Sequence, residues 1–313
     1  MLGYIARRLL ATIPVMFVVA VVVFMLLRLT TGDPAAIIAG DNATSQDVAA
    51  IRTKLGLDQP IALQFGIWIG NVVRGDFGES FFFKKPVAEL IAGRLQPTVS
   101  LAVCTVILAV SMAVPLGVLA AWRRGSWIDR GVMGFSVLGF SVPTFVIGYV
   151  LIYLVAIQAG WLPVQGYQRL EEGFGGFIER LVLPSVTLAV IYVALIARIT
   201  RASVLEVLSA DHVRTARAKG LGDLAVLLRH VLRNAAVPIV TVIGLGIALL
   251  IGGVVVTESV YAIPGLGRLT VDAVLARDYP TVQAVILLFS MVYVLINLLV
   301  DLTYTFLDPR IRY

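Results

Sequence analysis

Six long apolar runs dominate the pattern of hydrophobic and polar residues along the chain. A helix crossing a bilayer needs roughly 17–25 predominantly apolar residues, so each run predicts a transmembrane helix. The runs are Leu9–Leu29, Thr98–Trp122, Val132–Gln158, Leu181–Ala197, Val237–Val256 and Val282–Leu302. A seventh run, Ile61–Val73, is shorter and contains Gln64 and Asn71, which favours an interfacial or extramembrane helix.

The pattern predicts an all-α, polytopic membrane protein with three parts. Residues 1–30 form an N-terminal anchor helix, 31–97 an extracytoplasmic segment, and 98–313 a core of five transmembrane helices with a long loop at 198–236. The first run follows Arg7 and Arg8, as in a signal peptide, but it is too long for one and lacks a small-residue cleavage site before Asp33. We therefore expect a retained anchor.

Composition agrees with membrane insertion. Of 313 residues, 59% are hydrophobic and 14% charged, and the mean hydropathy is +0.95. An average soluble domain has about 45–50% apolar and about 25% charged residues, so an ordinary soluble protein and a disordered chain are both excluded. A disulfide scaffold is excluded as well, because Cys104 is the single cysteine.

The distribution of charge predicts the orientation. Six spans place both termini and loop 198–236 on one side, where 14 basic residues face 5 acidic ones; the opposite side has 10 basic and 13 acidic residues. Cytoplasmic loops carry the excess of Lys and Arg, so both termini are predicted to be cytoplasmic. The net charge of +6 thus reflects mostly the orientation in the membrane, together with one basic docking helix, and no nucleic-acid partner is required. Membrane lipid is an expected partner.

Small and helix-breaking residues recur within the spans. Two interpretations are open: close helix packing with kinks, or the lining and gating of a pathway. The residues are Pro14, Pro115, Pro143, Pro184, Gly244, Gly246, Gly252 and Gly253.

The most distinctive segment is the cytoplasmic loop from Ser209 to Pro238. Asp211 suits a helix N-cap and Gly220 a helix end, which predicts a two-turn helix over 212–219. Gly222 and Asp223 restart a helix that carries one apolar face, formed by Leu224, Leu227, Leu228, Val231 and Leu232. So short a helix is unstable alone and needs a docking surface.

The polar residues of this short helix suit a protein partner. We expect Ala216 and Ala218 to enter a cleft of the partner, while Arg214, Arg217 and Lys219 contact acidic or carbonyl groups at its rim. The alternative is a solvated basic loop near anionic headgroups.

The residues of this loop resemble a known family. Arg214-Thr215-Ala216-Arg217-Ala218-Lys219-Gly220-Leu221, then Leu228 to Ala235 and Pro238, are similar to the permease loop of ATP-binding-cassette (ABC) importers of the dipeptide, oligopeptide and nickel branch. Arg214 stands where importers in general have an acidic residue, as is usual in the peptide branch.

Further short motifs along the chain resemble the first permease of glutathione and dipeptide importers. They are Gly32-Asp33-Pro34-Ala35, Leu55 to Pro60, Gly75-Asp76-Phe77-Gly78, Leu183-Pro184-Ser185, Pro264 to Arg268, Arg277 to Pro280 and Asp308 to Tyr313. The resemblance implies a type I ABC importer permease fold, with residues 214–221 as a coupling helix. It also implies a second permease, two ATP-binding subunits and an extracytoplasmic substrate-binding protein as partners.

The chain itself lacks the residues for ATP hydrolysis. None of its four lysines follows a glycine, so a phosphate-binding GxxxxGK[ST] loop is absent from the sequence. ATP–Mg is therefore expected on the partner subunits, with no catalytic, cofactor or metal site in this chain. Gly220-Leu221-Gly222-Asp223 matches the motif of intramembrane aspartyl proteases, but Asp223 lies in a basic loop. His212 and His230 lack metal-ligand spacing.

Three polar residues near the ends of the spans are candidates for the translocation path. Glu258 is a candidate for its outer mouth, and Asn297 and Asp301 lie one turn apart on the last span. Short peptides or glutathione are the expected substrates. Nickel, another small solute, or a self-contained secondary transporter remain the alternatives.

Overall fold

The computed structural model describes residues 2–29, 35–36, 44–54 and 56–307, and within these ranges the regular elements are helices. A single antiparallel bridge there joins Glu79 and Pro86. The motif residues Gly32 to Pro34, Leu55 and Asp308 to Tyr313 lie outside the described residues. The helices are α1 Leu2–Leu29, α2 Ser45–Lys54, α3 Ile61–Val73, α4 Val87–Trp122, α5 Trp127–Ser141, α6 Thr144–Gln158, α7 Phe174–Leu208, α8 Asp211–Ala218, α9 Asp223–Val260, α10 Leu266–Leu275 and α11 Tyr279–Leu307.

The long apolar runs are helices that could cross a membrane. Among the described residues, α1, α4, α7, α9 and α11 are individually long and apolar enough, and α5 with α6 supplies a sixth span if the pair is counted together. The short apolar helix α3 coincides with the seventh run. An all-α protein with up to six spans is confirmed.

The third predicted span is not continuous. The prediction of one helix over Val132–Gln158 was wrong, because α5 and α6 meet at an angle of 104°. Val142 is extended at the break, with φ −97° and ψ 125°. A residue that precedes proline is disfavoured in the α-helical region, so Pro143 explains why the helix stops here. The prolines Pro14, Pro115 and Pro184, in contrast, lie inside continuous helices.

The contacts divide the chain into two compact units. One contains Gln96–Arg268 and the chain from Leu295 onward, and the other contains Leu2–Leu95 and Leu269–Val294. The predicted boundaries at residues 30 and 97 concern the two sides of a membrane, and they stay a prediction.

Helix α7 is the central element of the first unit. Its most apolar window is 61% buried, against 28% for α4 and 39% for α9, and α5, α6 and α9 pack against it. Several contacts depend on small residues: a Cβ added at Gly139 would lie 2.9 Å from the Cβ of Ala194, and one at Gly253 would lie 3.1 Å from Leu188 Cδ2. Gly244 approaches Val300 in the same way, whereas Gly252 has no such neighbour within 4 Å. Close packing therefore accounts for most of the span glycines.

Gly117 permits a close approach between α4 and α7. A Cβ at this position would lie 2.6 Å from the carbonyl oxygen of Ala197 and 2.7 Å from the Cβ of Thr200. We expect Gly117→Ala to destabilise the protein by about 1–3 kcal/mol, because backbone must move to make room. A thermal unfolding midpoint in detergent measures the effect. Gly134→Ala is the control, since no heavy atom lies within 4 Å of its added Cβ; equal midpoints for the two variants would contradict this packing.

The unit formed by Leu2–Leu95 and Leu269–Val294 is stabilised by contacts between aromatic rings and by hydrogen bonds to one buried carboxylate. Phe24 of α1 contacts the rings of Phe65 and Trp68 on α3, with centroids 5.1 and 5.5 Å apart. Asp278, 1% exposed, accepts hydrogen bonds from Ser80 Oγ at 2.5 Å, from Phe81 N at 3.1 Å and from Thr281 Oγ1 at 2.6 Å. Asp278 therefore fastens the loop before α4 to the start of α11.

Candidate functional site

Helix α8 is the short helix predicted in loop 198–236, and the structure confirms its existence and length. It begins at Asp211 and ends at Ala218. The predicted N-cap was wrong by one position: Ala210 is the N-cap, without a side-chain hydrogen bond, and Asp211 is the first helical residue. Gly220 has φ +80°, the left-handed conformation that glycine adopts most readily after a helix.

One face of α8 is buried within this chain. Val213 is 0% and Ala216 5% exposed, and both belong to a cluster that we call the loop core. Its other buried members are Ala121 of α4, Val204 of α7, and Val226, Val231, Ala235 and Ile239 of α9. The expectation that Ala216 enters a partner's cleft was therefore wrong, because its methyl group already packs inside the chain. Leu221 is partly buried against the same core.

The apolar face predicted for the start of α9 was also partly wrong. Val226 and Val231 are fully buried, whereas Leu224 is 68% and Leu228 55% exposed. The segment Val226–Val231 is π-helical. A π-helix has more residues per turn than an α-helix, so it changes which side chains point inward.

The opposite face of α8 is exposed and basic. Arg214, Thr215, Arg217, Ala218 and Lys219 are all exposed, as is Gly220. Two carboxylates lie near it: Arg214 is 3.5 Å from Asp211, and Arg217 is 3.5 Å from Asp223. Exposed pairs of this kind contribute about 0–1 kcal/mol. We call this exposed surface of α8 the basic face; little energy holds its guanidinium groups in place.

A buried ion pair that the sequence did not reveal lies in the same unit. Arg201 of α7 binds Asp129 of α5 through both Nε and Nη2, and the Nη2–Oδ2 distance is 2.8 Å. Asp129 is 4% exposed and also accepts a hydrogen bond from Gly125 N at 2.9 Å. Ser126 caps α5 by accepting from Asp129 N. The Ser126-x-x-Asp129 spacing could have indicated the cap, but pairing across 72 positions leaves no local signal.

Glu258 is not placed at an open mouth. Its side chain is 0% exposed, and its carboxylate accepts hydrogen bonds from Thr98 Oγ1 at 2.5 Å and from Arg268 N at 2.9 Å. Thr98 Oγ1 in turn accepts from Leu266 N at 2.7 Å. A Cβ added at Gly265 would overlap the carboxylate of Glu258. Glu258 therefore fastens the Pro264-Gly265-Leu266-Gly267 turn at the start of α10.

The remaining candidates do not converge on a reaction centre. Asn297 is exposed and Asp301 partly exposed, and both lie on α11. Among the residues that the structure describes, no three or more His, Cys, Asp or Glu side chains are grouped as metal ligands. Asp223 is the first residue of α9, with Gly222 as its N-cap.

The geometry defines a class: a polytopic helical membrane protein that presents a short basic helix fixed on three of its long helices. The chain belongs to the family of binding-protein-dependent transport system inner membrane components, whose model matches residues 113–313. The N-terminal model of the same systems matches residues 1–102.

Relatives match the whole chain. A probable peptide ABC transporter permease of Sinorhizobium fredii is 57% identical over 310 residues, 99% of each chain. The glutathione transport system permease protein GsiC of Escherichia coli K12 is 46% identical over 313 residues, 100% of each. A putative peptide transport system permease of Brucella abortus is 44% identical over the same length, 100% of each.

Solved structures show the same fold at low identity. An inward-facing MetNI methionine ABC transporter has a TM-score of 0.58 at 19% identity, covering 70% of this chain and 96% of that one. An amino acid ABC transporter with histidines has a TM-score of 0.54 at 17% identity, covering 69% and 92%. The chain is thus an ABC importer permease by family and by fold.

Proposed function

We propose that this chain is the first of two permease subunits of an ATP-driven importer for short peptides, such as dipeptides, oligopeptides or glutathione. The observation that carries the proposal is the basic face of α8, presented on a helix whose other face is fixed in the loop core. Relatives of full length that are named for peptide and glutathione transport support the substrate class.

The proposed assembly supplies what this chain lacks. A homologous second permease completes the translocation path, two ATP-binding subunits bind ATP–Mg, and an extracytoplasmic binding protein delivers the substrate. The chain itself has no catalytic role. Basic residues are in excess in loop 198–236 and near both termini. This excess supports a cytoplasmic position for the loop and for the two termini.

The loop core offers a mechanical route from α8 to the spans. It joins Val213 and Ala216 of α8 to residues of α4, α7 and α9, so a displacement of α8 acts on three long helices together. Well-packed interiors move as rigid pieces, because they are close-packed and compress little. The spans have an inward-open and an outward-open state. ATP-driven movement of the partner would shift the spans between these states, because the partner binds the two states with different affinity.

The coupling role is tested by Arg217→Glu. The Arg217 side chain is 46% exposed and its contact with Asp223 is weak, so we expect normal insertion and stability. Reversing its charge should repel an acidic or carbonyl-lined docking site, lowering uptake and substrate-stimulated ATP hydrolysis about tenfold or more. The measurement is uptake by the full complex in proteoliposomes.

Arg123→Glu is the matched control, since Arg123 is exposed on the same predicted side and lies outside α8. Normal uptake by the Arg217→Glu complex would contradict the coupling role. Transport by this chain in liposomes without ATP-binding subunits would overturn the proposed function in favour of a secondary transporter.

A further inference from the structure

A cavity of about 480 Å³ lies in the unit formed by Leu2–Leu95 and Leu269–Val294. Its walls come from α1, the end of α2 and the turn after it, α3, the loop before α4 and the start of α11. Cavities of roughly 300–1,000 Å³ suit small-molecule ligands. It lies apart from α8 in the sequence, and the coupling role does not use it.

The floor of this cavity is buried and mostly aromatic. Phe24 is 2% exposed, and its ring centroid lies 5.5 Å from that of Trp68. Gln283 is 7% exposed and donates a hydrogen bond from Nε2 to the carbonyl oxygen of Val23 at 3.0 Å. Tyr279 also lines the cavity. An aromatic floor with an amide at its edge suits an apolar body that carries a polar end.

The rim carries negative charge. Asp76 and Glu79 line the cavity and are exposed, and Asp76 Oδ1 accepts a hydrogen bond from Gly78 N at 2.9 Å, which orients that carboxylate. Among the described residues that line the cavity there is no Lys, Arg or His. Because this lining has two carboxylates and no basic side chain, it attracts cations and repels anions.

We propose that this cavity binds an amphipathic primary amine. The ammonium group binds Asp76 and Glu79 at the rim, and the apolar body lies on Phe24 and Trp68, where burial of its apolar surface adds to the affinity. This chemistry occurs at the amino terminus of a soluble peptide and in the ethanolamine headgroup of a lipid. The proposal does not depend on the coupling role of α8.

The test is binding of two dipeptide amides to the full chain in phosphatidylglycerol nanodiscs, measured by equilibrium dialysis. Phe-Leu-amide has a free ammonium group, and N-acetyl-Phe-Leu-amide lacks it. We expect the free amine to bind about tenfold or more tightly than the acetylated form, because a charge-assisted hydrogen bond is lost on acetylation. Equal affinities would overturn the proposal.

Variants at the rim make the test specific. The D76N/E79Q variant should lower the affinity for the free amine about tenfold or more and leave that for the acetylated form unchanged. The Asp76→Asn substitution keeps a side-chain oxygen that can accept from Gly78 N, so the loop is expected to fold. The control is E89Q/D272N, which removes two carboxylates of the same unit that do not line the cavity. Unchanged binding by D76N/E79Q would also overturn the proposal.

A lipid arm separates the two sources of the ammonium group. The dialysis is repeated in nanodiscs that contain phosphatidylethanolamine. A weaker apparent affinity for Phe-Leu-amide, absent in D76N/E79Q, assigns the cavity to the lipid headgroup. An unchanged affinity assigns it to a soluble amine, and both results support an ammonium site.

Discussion

Substitution of Gly265 by alanine is expected to destabilise the chain by about 2–4 kcal/mol, because a buried carboxylate occupies the space of the new methyl group. The added Cβ would overlap Oε1 and Cδ of Glu258. That side chain is fully buried and holds Thr98 Oγ1 and Arg268 N. If it moved, these two partly buried donors would lose their acceptor. A lower thermal unfolding midpoint in detergent is the measurement.

A double-mutant cycle tests whether Glu258 is the cause. In the Glu258→Ala background the carboxylate is gone, so Gly265→Ala should cost about 1 kcal/mol or less in addition. Gly131→Ala is the control, because no heavy atom lies within 4 Å of its added Cβ. If the free energies lost in the two single variants simply add in the double variant, then the Glu258 carboxylate is not what constrains Gly265.

Removal of the Asp129 carboxylate, which binds Arg201, should lower the stability of the chain by a comparable amount. We expect Asp129→Ala to destabilise the chain by about 3 kcal/mol, since it leaves the Arg201 guanidinium without its carboxylate beside the start of α5. The Arg201 side chain is 24% exposed, so water offsets part of the loss and the lower end of the usual range applies. Unfolding in mixed detergent micelles measures the free energy.

A second substitution separates the lost pair from an unpaired charge. Asp129→Ala with Arg201→Met removes both partners and should recover about half of the loss or more, because no buried charge remains. Glu89→Ala breaks an exposed pair with Lys85 and should change stability by less than about 0.5 kcal/mol. A double variant no more stable than Asp129→Ala would contradict this account.

Local pattern predicted the long helices because burial in lipid demands long apolar runs. The short helix before Gly220 was predicted for a similarly local reason, because glycine readily adopts the left-handed conformation that ends helices. Gly220 has this conformation in the structure. One failure was local, because the helix break before Pro143 follows from the restriction that proline places on the preceding residue. The other failures came where several elements compete for one side chain. Ala216 is small enough for a partner's cleft, but the loop core of its own chain takes it.

The sequence alone determined the membrane class, the long apolar helices other than the bent pair α5 and α6, the position of α8 and the absence of a phosphate-binding loop. Each of these depends on residues close together in the chain. Tertiary structure decided which face of α8 is exposed and which side chains of the π-helical segment of α9 point inward. It also decided that Glu258 and Asp129 are buried carboxylates that bind groups on other helices. Each of these depends on partners far apart in sequence: Asp129 and Arg201 are separated by 72 positions and Thr98 and Glu258 by 160. Only packing in three dimensions brings such groups within hydrogen-bond distance, and no periodic pattern in the chain encodes that distance.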